Sequence, residues 1–252
     1  MSMFCDLICE KGELIGLWQA LATPYTAEIC AGAGFDWLMF DGEHGPNTLQ
    51  TLLGQLQAIS SYPVHPVARP PSTDPALIKQ YLDIGFPTLL CPMIDSAEHA
   101  LRTVAATRFP PVGIRGVASA TSRASRFGAD TAYLGSQLER TAVIAQIETA
   151  EGLKAVREIA AVEGVDALFI GPADLSATLG HLGDARHPDV QQAIDQAFAA
   201  IRDAGKPAGI FALDIDDARA RLQQGFKFVS VGTDIGILAA GARKIREACR
   251  AP

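Results

Sequence analysis

Aromatic residues are scarce in this chain, cysteines are few and odd in number, and basic residues occur only as scattered pairs. Each shortage excludes something. No apolar run approaches the roughly 20 residues that a membrane span requires. The five cysteines, Cys5, Cys9, Cys30, Cys91 and Cys249, are loosely spaced and odd in number, which argues against a disulfide framework. Cys5 and Cys9 lie close together but lack a neighbouring histidine or second cysteine pair, so they read as ordinary thiols rather than a zinc site. The 21 Lys and Arg are outnumbered by 28 Asp and Glu, for a net charge of −7. A nucleic-acid binder needs a concentrated basic face for phosphates, and none is visible. Met1–Glu10 carries Asp6 and Glu10 without a basic start, so it does not read as a secretory signal. The expectation is a soluble, cytoplasmic protein with no membrane or nucleic-acid partner.

What the chain does have is aliphatic mass. Hydrophobic residues make up 48% of it and charged residues 19%, which suits a large buried core. Short apolar runs alternate with amphipathic stretches along the whole length. The runs predict strands at Leu14–Trp18, Trp37–Asp41, Pro66–Arg69, Thr88–Met93, Ala142–Ile147, Ala167–Ile170, Ala208–Phe211 and Phe226–Val231. Helical periodicity marks Thr48–Ile59, Pro75–Asp83, Ser96–Ala106, Glu151–Val162, Val190–Ala204, Ile215–Gln224 and Ile235–Ala251. Nearly continuous apolar strands alternating with helices indicate parallel βαβ units. Eight such units without a change of composition favour a single-domain (β/α)8 TIM barrel over residues 1–252, with an open doubly wound sheet as the alternative. Arg108–Arg140 breaks the rhythm. It is long and rich in Pro, Gly, Ser and Arg, as lids, binding loops and oligomer contacts often are.

Polar residues collect at the carboxyl ends of the predicted strands, where such barrels place their sites. Trp18 closes the first run; Asp41, Glu43 and His44 follow the second; Arg69 ends the third. Gln146 and Glu148 end the fifth, and Gly171-Pro172-Ala173-Asp174 follows the sixth. Glu148 and Asp174, on neighbouring strands, suit Mg2+ or Mn2+, though they also read as solvated loop acids or a helix cap. His44 could pass protons with Asp41 or Asp83 orienting it, or could simply be a loop histidine bonded to backbone. Arg69 could stabilise an enolate oxygen or form a structural ion pair. His65 precedes its strand and should lie at the opposite face, while His99, His181 and His187 fall on helices or loops.

The stretches Gly34–Pro46, Val67–Pro70, Gly113–Val117, Gln146–Thr149 and Phe169–Ser176 together resemble the 4-hydroxy-2-oxoheptanedioate aldolase family. Its relatives include 2-keto-3-deoxy sugar-acid aldolases and macrophomate synthase. The likeness covers nearly the whole chain in order. It implies a class II pyruvate aldolase that reversibly cleaves a 4-hydroxy-2-oxo acid to pyruvate and an aldehyde such as succinic semialdehyde. Glu148 and Asp174 would hold a divalent ion, Mg2+ or Mn2+ with Co2+ as a substitute. His44 would be the acid–base residue, oriented by Asp83, with Asp41 in its network. Arg69 and Gln146 would contact the keto oxygen of pyruvate, and the backbone at Ala173 and Asp174, in the Gly171-Pro172-Ala173-Asp174 turn, would receive its carboxylate. Trp18 and Phe211 would border the aldehyde pocket. Val117, Ala118 and Arg123 would reach a neighbouring subunit's site. The resemblance further implies a terminal helix exchanged between subunits, in hexamers built as trimers of dimers. Phe211 and Cys91 stand where smaller or aliphatic side chains are usual in that family, which bears on the substrate rather than the reaction.

Two other enzyme classes remain on the sequence alone. A lysine-dependent aldolase needs a desolvated lysine at a strand end. Here Lys11, Lys79, Lys154, Lys206 and Lys244 fall on helices or loops, and Lys227 starts its strand at the wrong face. A citrate-lyase-like enzyme acting on an acyl thioester would share the barrel and the carboxylates. A barrel turned binding module would have no use for the Asp41, His44, Arg69, Glu148 and Asp174 set.

Overall fold

The computed structural model describes residues 2–250. Among them, eight parallel strands close into a barrel in sequence order, β1 pairing with both β2 and β8. The first half runs α1 (Met3–Lys11), β1 (Leu14–Gln19), α2 (Pro24–Gly32), β2 (Trp37–Asp41), α3 (Leu49–Ala58), β3 (His65–Arg69), α4 (Pro75–Asp83), β4 (Thr88–Cys91) and α5 (Ala97–Thr107). After the long connection come α6 (Gln137–Arg140), β5 (Ala142–Ile147), α7 (Ala150–Lys154), α8 (Val156–Ala160), β6 (Ala167–Ile170) and α9 (Pro172–Thr178). The circuit ends with α10 (Pro188–Asp203), β7 (Ala208–Ala212), α11 (Ile215–Gln224), β8 (Phe228–Thr233) and α12 (Asp234–Ala248). The expected (β/α)8 barrel is therefore the observed fold.

Each strand alternates its side chains between two apolar layers. In β2, Leu38 and Phe40 face the helices, whereas Trp37 and Met39 fill the barrel interior. The interior is dense enough that large rings need glycine opposite them. A Cβ on Gly16 would lie 2.2 Å from the Trp37 ring, and one on Gly209 would lie 2.2 Å from Phe228. The lower end is stoppered by α1, whose fully buried Phe4 meets Phe228 edge-on at 5.2 Å and His65 at 5.3 Å. Burying a phenylalanine to that degree is worth about 1.5–3 kcal/mol. His65 lies at this lower end, as its place before the strand predicted, with Nε2 2.7 Å from Thr88 Oγ1.

Several boundaries differ from the sequence reading. The helix predicted at Glu151–Val162 is broken between α7 and α8, because Ala155 leaves helical geometry at φ −94°, ψ 7°. The strand predicted to run to Met93 stops at Cys91, ahead of Pro92 and a Met93 held at φ 55°. The last strand starts later and runs further than predicted. Helices α1, α2, α6 and α9 are not among the helices the sequence predicts. The predicted end of α12, Ala251, lies outside the described residues. Helix α12 packs on β1 and β8, buries Asp234, and leaves Ile237, Leu238 and Ile245 exposed. No helix of the described residues is long and apolar enough to cross a membrane.

Candidate active site

Strand parity explains which side chains reach the upper mouth. Trp37 and Met39 point inward, so Asp41 does too; Val67 passes the same orientation to Arg69. Ala142 and Ile144 do so for Gln146, and Ala167 and Phe169 for Gly171. These inward positions are mostly apolar low in the barrel, the His65–Thr88 pair at the floor apart, and turn polar in the last layer. Together they open onto a cavity of about 400 Å3 lined by Trp18, Asp41, His44, Arg69, Gln146, Gly171, Pro172, Ala173, Asp174 and Phe211. Ten of the expected site residues thus share one space.

Arg69 organises the mouth. Its Nε donates to Asp41 Oδ1 at 3.0 Å and its Nη2 to Asp41 Oδ2 at 2.7 Å, a bidentate pair that fixes the guanidinium plane. Nη1 lies 2.9 Å from Glu43 Oε2, and the guanidinium carbon sits 5.0 Å over the Trp18 ring. Trp18 Nε1 donates to Asp41 Oδ2 at 3.0 Å. Burial pulls the Asp41 carboxyl upward, but the hydrogen bonds and charge of Arg69, with Trp18, hold it below its ordinary value.

Glu148 is buried just beneath the cavity floor. Its Oε1 accepts the Met93 N–H at 2.8 Å, and its Oε2 accepts from Gln146 Nε2. Gly171 lets it approach, since a Cβ there would come within 2.7 Å of Oε2. Burial pushes this carboxyl up to about 7, against the Met93 hydrogen bond and Arg69, with Glu43 and Asp174 adding repulsion. Burial likewise raises Glu43, opposed by Arg69 and His44 and reinforced by Asp41 and Asp174. Two carboxylates therefore pair with one guanidinium, and Glu148 and Asp174 stand close enough to repel Glu43. The Gln146 Oε1 acceptor is buried without a partner. An oxygen-rich, cation-poor pocket of this kind fits a hard divalent ion with open positions for substrate.

Other expectations were not met within the chain. Asp83 does not orient His44. It ends α4 in the helix layer, where its Oδ1 accepts from the fully buried Arg115 at 2.6 Å. His44 stands at the cavity mouth with its side chain 65% exposed and Nε2 3.8 Å from Glu43 Oε2. Val117, Ala118 and Arg123 lie on the long connection away from this cavity. Val117 and Ala118 are exposed, and Arg123 Nη1 donates to Ile84 O at 3.0 Å. Glu43 received no role in the sequence reading, although its place between Asp41 and His44 was a usable signal. Nothing in the sequence announced the Met93 amide as the group that holds Glu148.

A family pattern described as HpcH/HpaI aldolase/citrate lyase matches residues 14–240. The chain is 57% identical over 231 residues to a hydroxypyruvate/pyruvate aldolase of Deinococcus radiodurans, covering 92% of this chain and 83% of that protein. It is 52% identical over 231 residues to a 4-hydroxy-2-oxo-heptane-1,7-dioate aldolase of Escherichia coli, covering 92% and 88%. The crystal structure of an HpcH/HpaI aldolase/citrate lyase family protein from Burkholderia cenocepacia superposes with a TM-score of 0.92 at 43% identity, covering 95% of each chain. By pattern, sequence and shape together, the chain belongs to the HpcH/HpaI aldolase/citrate lyase family and is a carbon–carbon lyase.

Proposed function

We propose that this lyase is a class II pyruvate aldolase, cleaving a 4-hydroxy-2-oxo acid reversibly to pyruvate and an aldehyde such as succinic semialdehyde. The observation that carries the reading is that Asp41, Arg69 and Asp174 line one cavity, with Glu43 ion-paired to Arg69 and Glu148 close by, pushed up to about 7 by burial and acidic neighbours. Glu148 and Asp174 would hold a divalent ion, Mg2+ or Mn2+ with Co2+ as a substitute. Such an ion supplies Lewis acidity to a 2-oxo acid carbonyl. Arg69, its plane set by Asp41, faces the keto oxygen and takes up enolate charge as the carbon–carbon bond breaks. Gln146 donates toward the same oxygen. Ala173 and Asp174 belong to the first turn of α9, whose amides lack intrahelical partners and receive a carboxylate. His44, at the mouth, passes the proton of the 4-hydroxyl.

The aldehyde side is apolar. Trp18 and Phe211 meet edge-on at 5.2 Å, with Leu213 and Ile235 beside them. No lysine lines the cavity, which disfavours a Schiff-base route.

The exposed apolar residues of α12 and the exposed Val117 and Phe127 of the long connection support assembly into an oligomer, a hexamer on the resemblance. The five cysteines, none of them in a disulfide among the described residues, suit a cytoplasmic location.

Exchange of the pyruvate methyl protons with solvent, followed by NMR, tests the chemistry. Exchange should stop in excess EDTA, return with Mg2+ or Mn2+, and be absent in Glu148→Gln. Undiminished exchange in EDTA, with borohydride trapping of pyruvate on the protein, would replace this reading with the lysine mechanism.

A further inference from the structure

Three side chains outside the cavity converge on the turn between α9 and α10. His181 Nε2 lies 3.2 Å from Asp189 Oδ2, and His187 Nδ1 lies 3.7 Å from the same oxygen. The two imidazoles stack with centroids 3.5 Å apart and planes 15° from parallel. One ligand atom from each residue falls within 4.8 Å of the others. Around a tetrahedral ion with bonds of about 2.0–2.1 Å, donor atoms sit roughly 3.3 Å apart, so the spacing suits a shared ion, and binding it requires the stacked rings to turn until both in-plane lone pairs meet there. None of the three lines the catalytic cavity.

We propose that His181, His187 and Asp189 form a second metal site, selective for a borderline transition ion such as Zn2+ and separate from the oxygen-donor site of Glu148 and Asp174. Donor chemistry divides the two sites. Imidazoles suit Zn2+, Ni2+ and Cu2+, whereas all-oxygen sets suit Mg2+ and Mn2+. Two histidines and a carboxylate leave a further position for water at a surface where Asp189 is largely exposed.

The turn is folded before any ion arrives. His181 N donates to Ser176 O at 2.8 Å, Asp184 N to His181 O at 2.9 Å and His187 N to Asp184 O at 3.1 Å. These bonds hold both histidines on one side of the turn. Gly180 and Gly183, at φ 86° and 81°, take the left-handed geometry it requires. At His187, Nδ1 accepts the Asp189 N–H at 3.2 Å and so caps α10. Ligation there exchanges that hydrogen bond for a coordinate bond. An ion so held would tie the start of α10 to the turn behind α9, the helix that brings Asp174 to the cavity.

The test uses tag-free, full-length protein in Mg2+ sufficient to fill the catalytic site. Zn2+ is titrated by calorimetry, and Co2+ by its visible absorption, which is intense when tetrahedral. One ion per chain should bind to the wild type. Binding should weaken at least about tenfold in His181→Ala and in Asp189→Asn, with Mg2+-supported pyruvate proton exchange unchanged. His181→Ala leaves the His187 cap of α10 intact, and circular dichroism checks that the variant is folded. Equal Zn2+ affinity and stoichiometry in wild type and His181→Ala would overturn the proposal. So would loss of the Zn2+ event in Glu148→Gln instead, which would place the ion at the catalytic carboxylates.

Discussion

The two ends of one barrel treat buried ionisable groups in opposite ways. At the floor, His65 is enclosed by Phe4 and Thr88, and burial pushes its imidazole down to about 4, so it stays neutral. At the mouth, burial and neighbouring acids push Glu148 up to about 7, yet the pocket around it is built of further carboxylates and one arginine. The strands supply the same inward parity at both ends. Low in the barrel that parity is filled with rings that hold the wall apart; at the top it is filled with carboxylates and the Arg69 guanidinium. Stability and chemistry are thus separated along the barrel axis rather than between domains.

That separation can be broken at the floor. Phe4→Ala removes the buried ring that stoppers the barrel and should cost about 3–5 kcal/mol in unfolding free energy. Denaturant unfolding should register that loss while kcat/KM of the folded enzyme changes little. A parallel fall in kcat/KM would mean the two ends are mechanically coupled. At the mouth, Arg69→Ala should lower kcat by about 100- to 1,000-fold, as expected on removing one preorganised donor to developing oxygen charge. Because the change also strands the Asp41 carboxylate, rates should be read on protein shown to be folded. Arg69→Lys, which keeps charge without the bidentate fork, should recover only part of the loss.

The smallest effect concerns pH. The native pKa of His65 lies below its unfolded value, so the unfolded chain binds the proton more readily. Its contribution is intact above about pH 6.5 and erodes as pH falls toward 4, by at most about 3 kcal/mol. His65→Asn should flatten the dependence of the unfolding free energy on pH across that window. An unchanged slope would show that other groups govern acid stability.

Much of this was legible in the sequence because barrels obey a short-range rule. Apolar runs of strand length gave the eight strands, and polar residues at their carboxyl ends marked the mouth, from Trp18 through Asp174. The resemblance supplied roles for those residues that spacing alone left open. Short helices were less legible: α1 spans only nine residues, and α9 begins inside a Gly-Pro turn. Long-range pairings were not legible at all. Within this chain Asp83, expected beside His44, sits on the outer helix layer and is engaged by Arg115, a partner 32 residues further on. The hold of Met93 on Glu148 depends on a backbone N–H after a proline-broken strand, which has no side-chain signature.

The plug formed by α1 has a consequence for traffic. With Phe4 and Ile8 closing the lower end, every molecule that enters or leaves must use the upper rim. Whatever settles against the Gln146 and Gly171 floor is boxed in while a second molecule stands above it, against the paired rings of Trp18 and Phe211. Arrival and departure then become a queue, the deeper occupant being first in and last out.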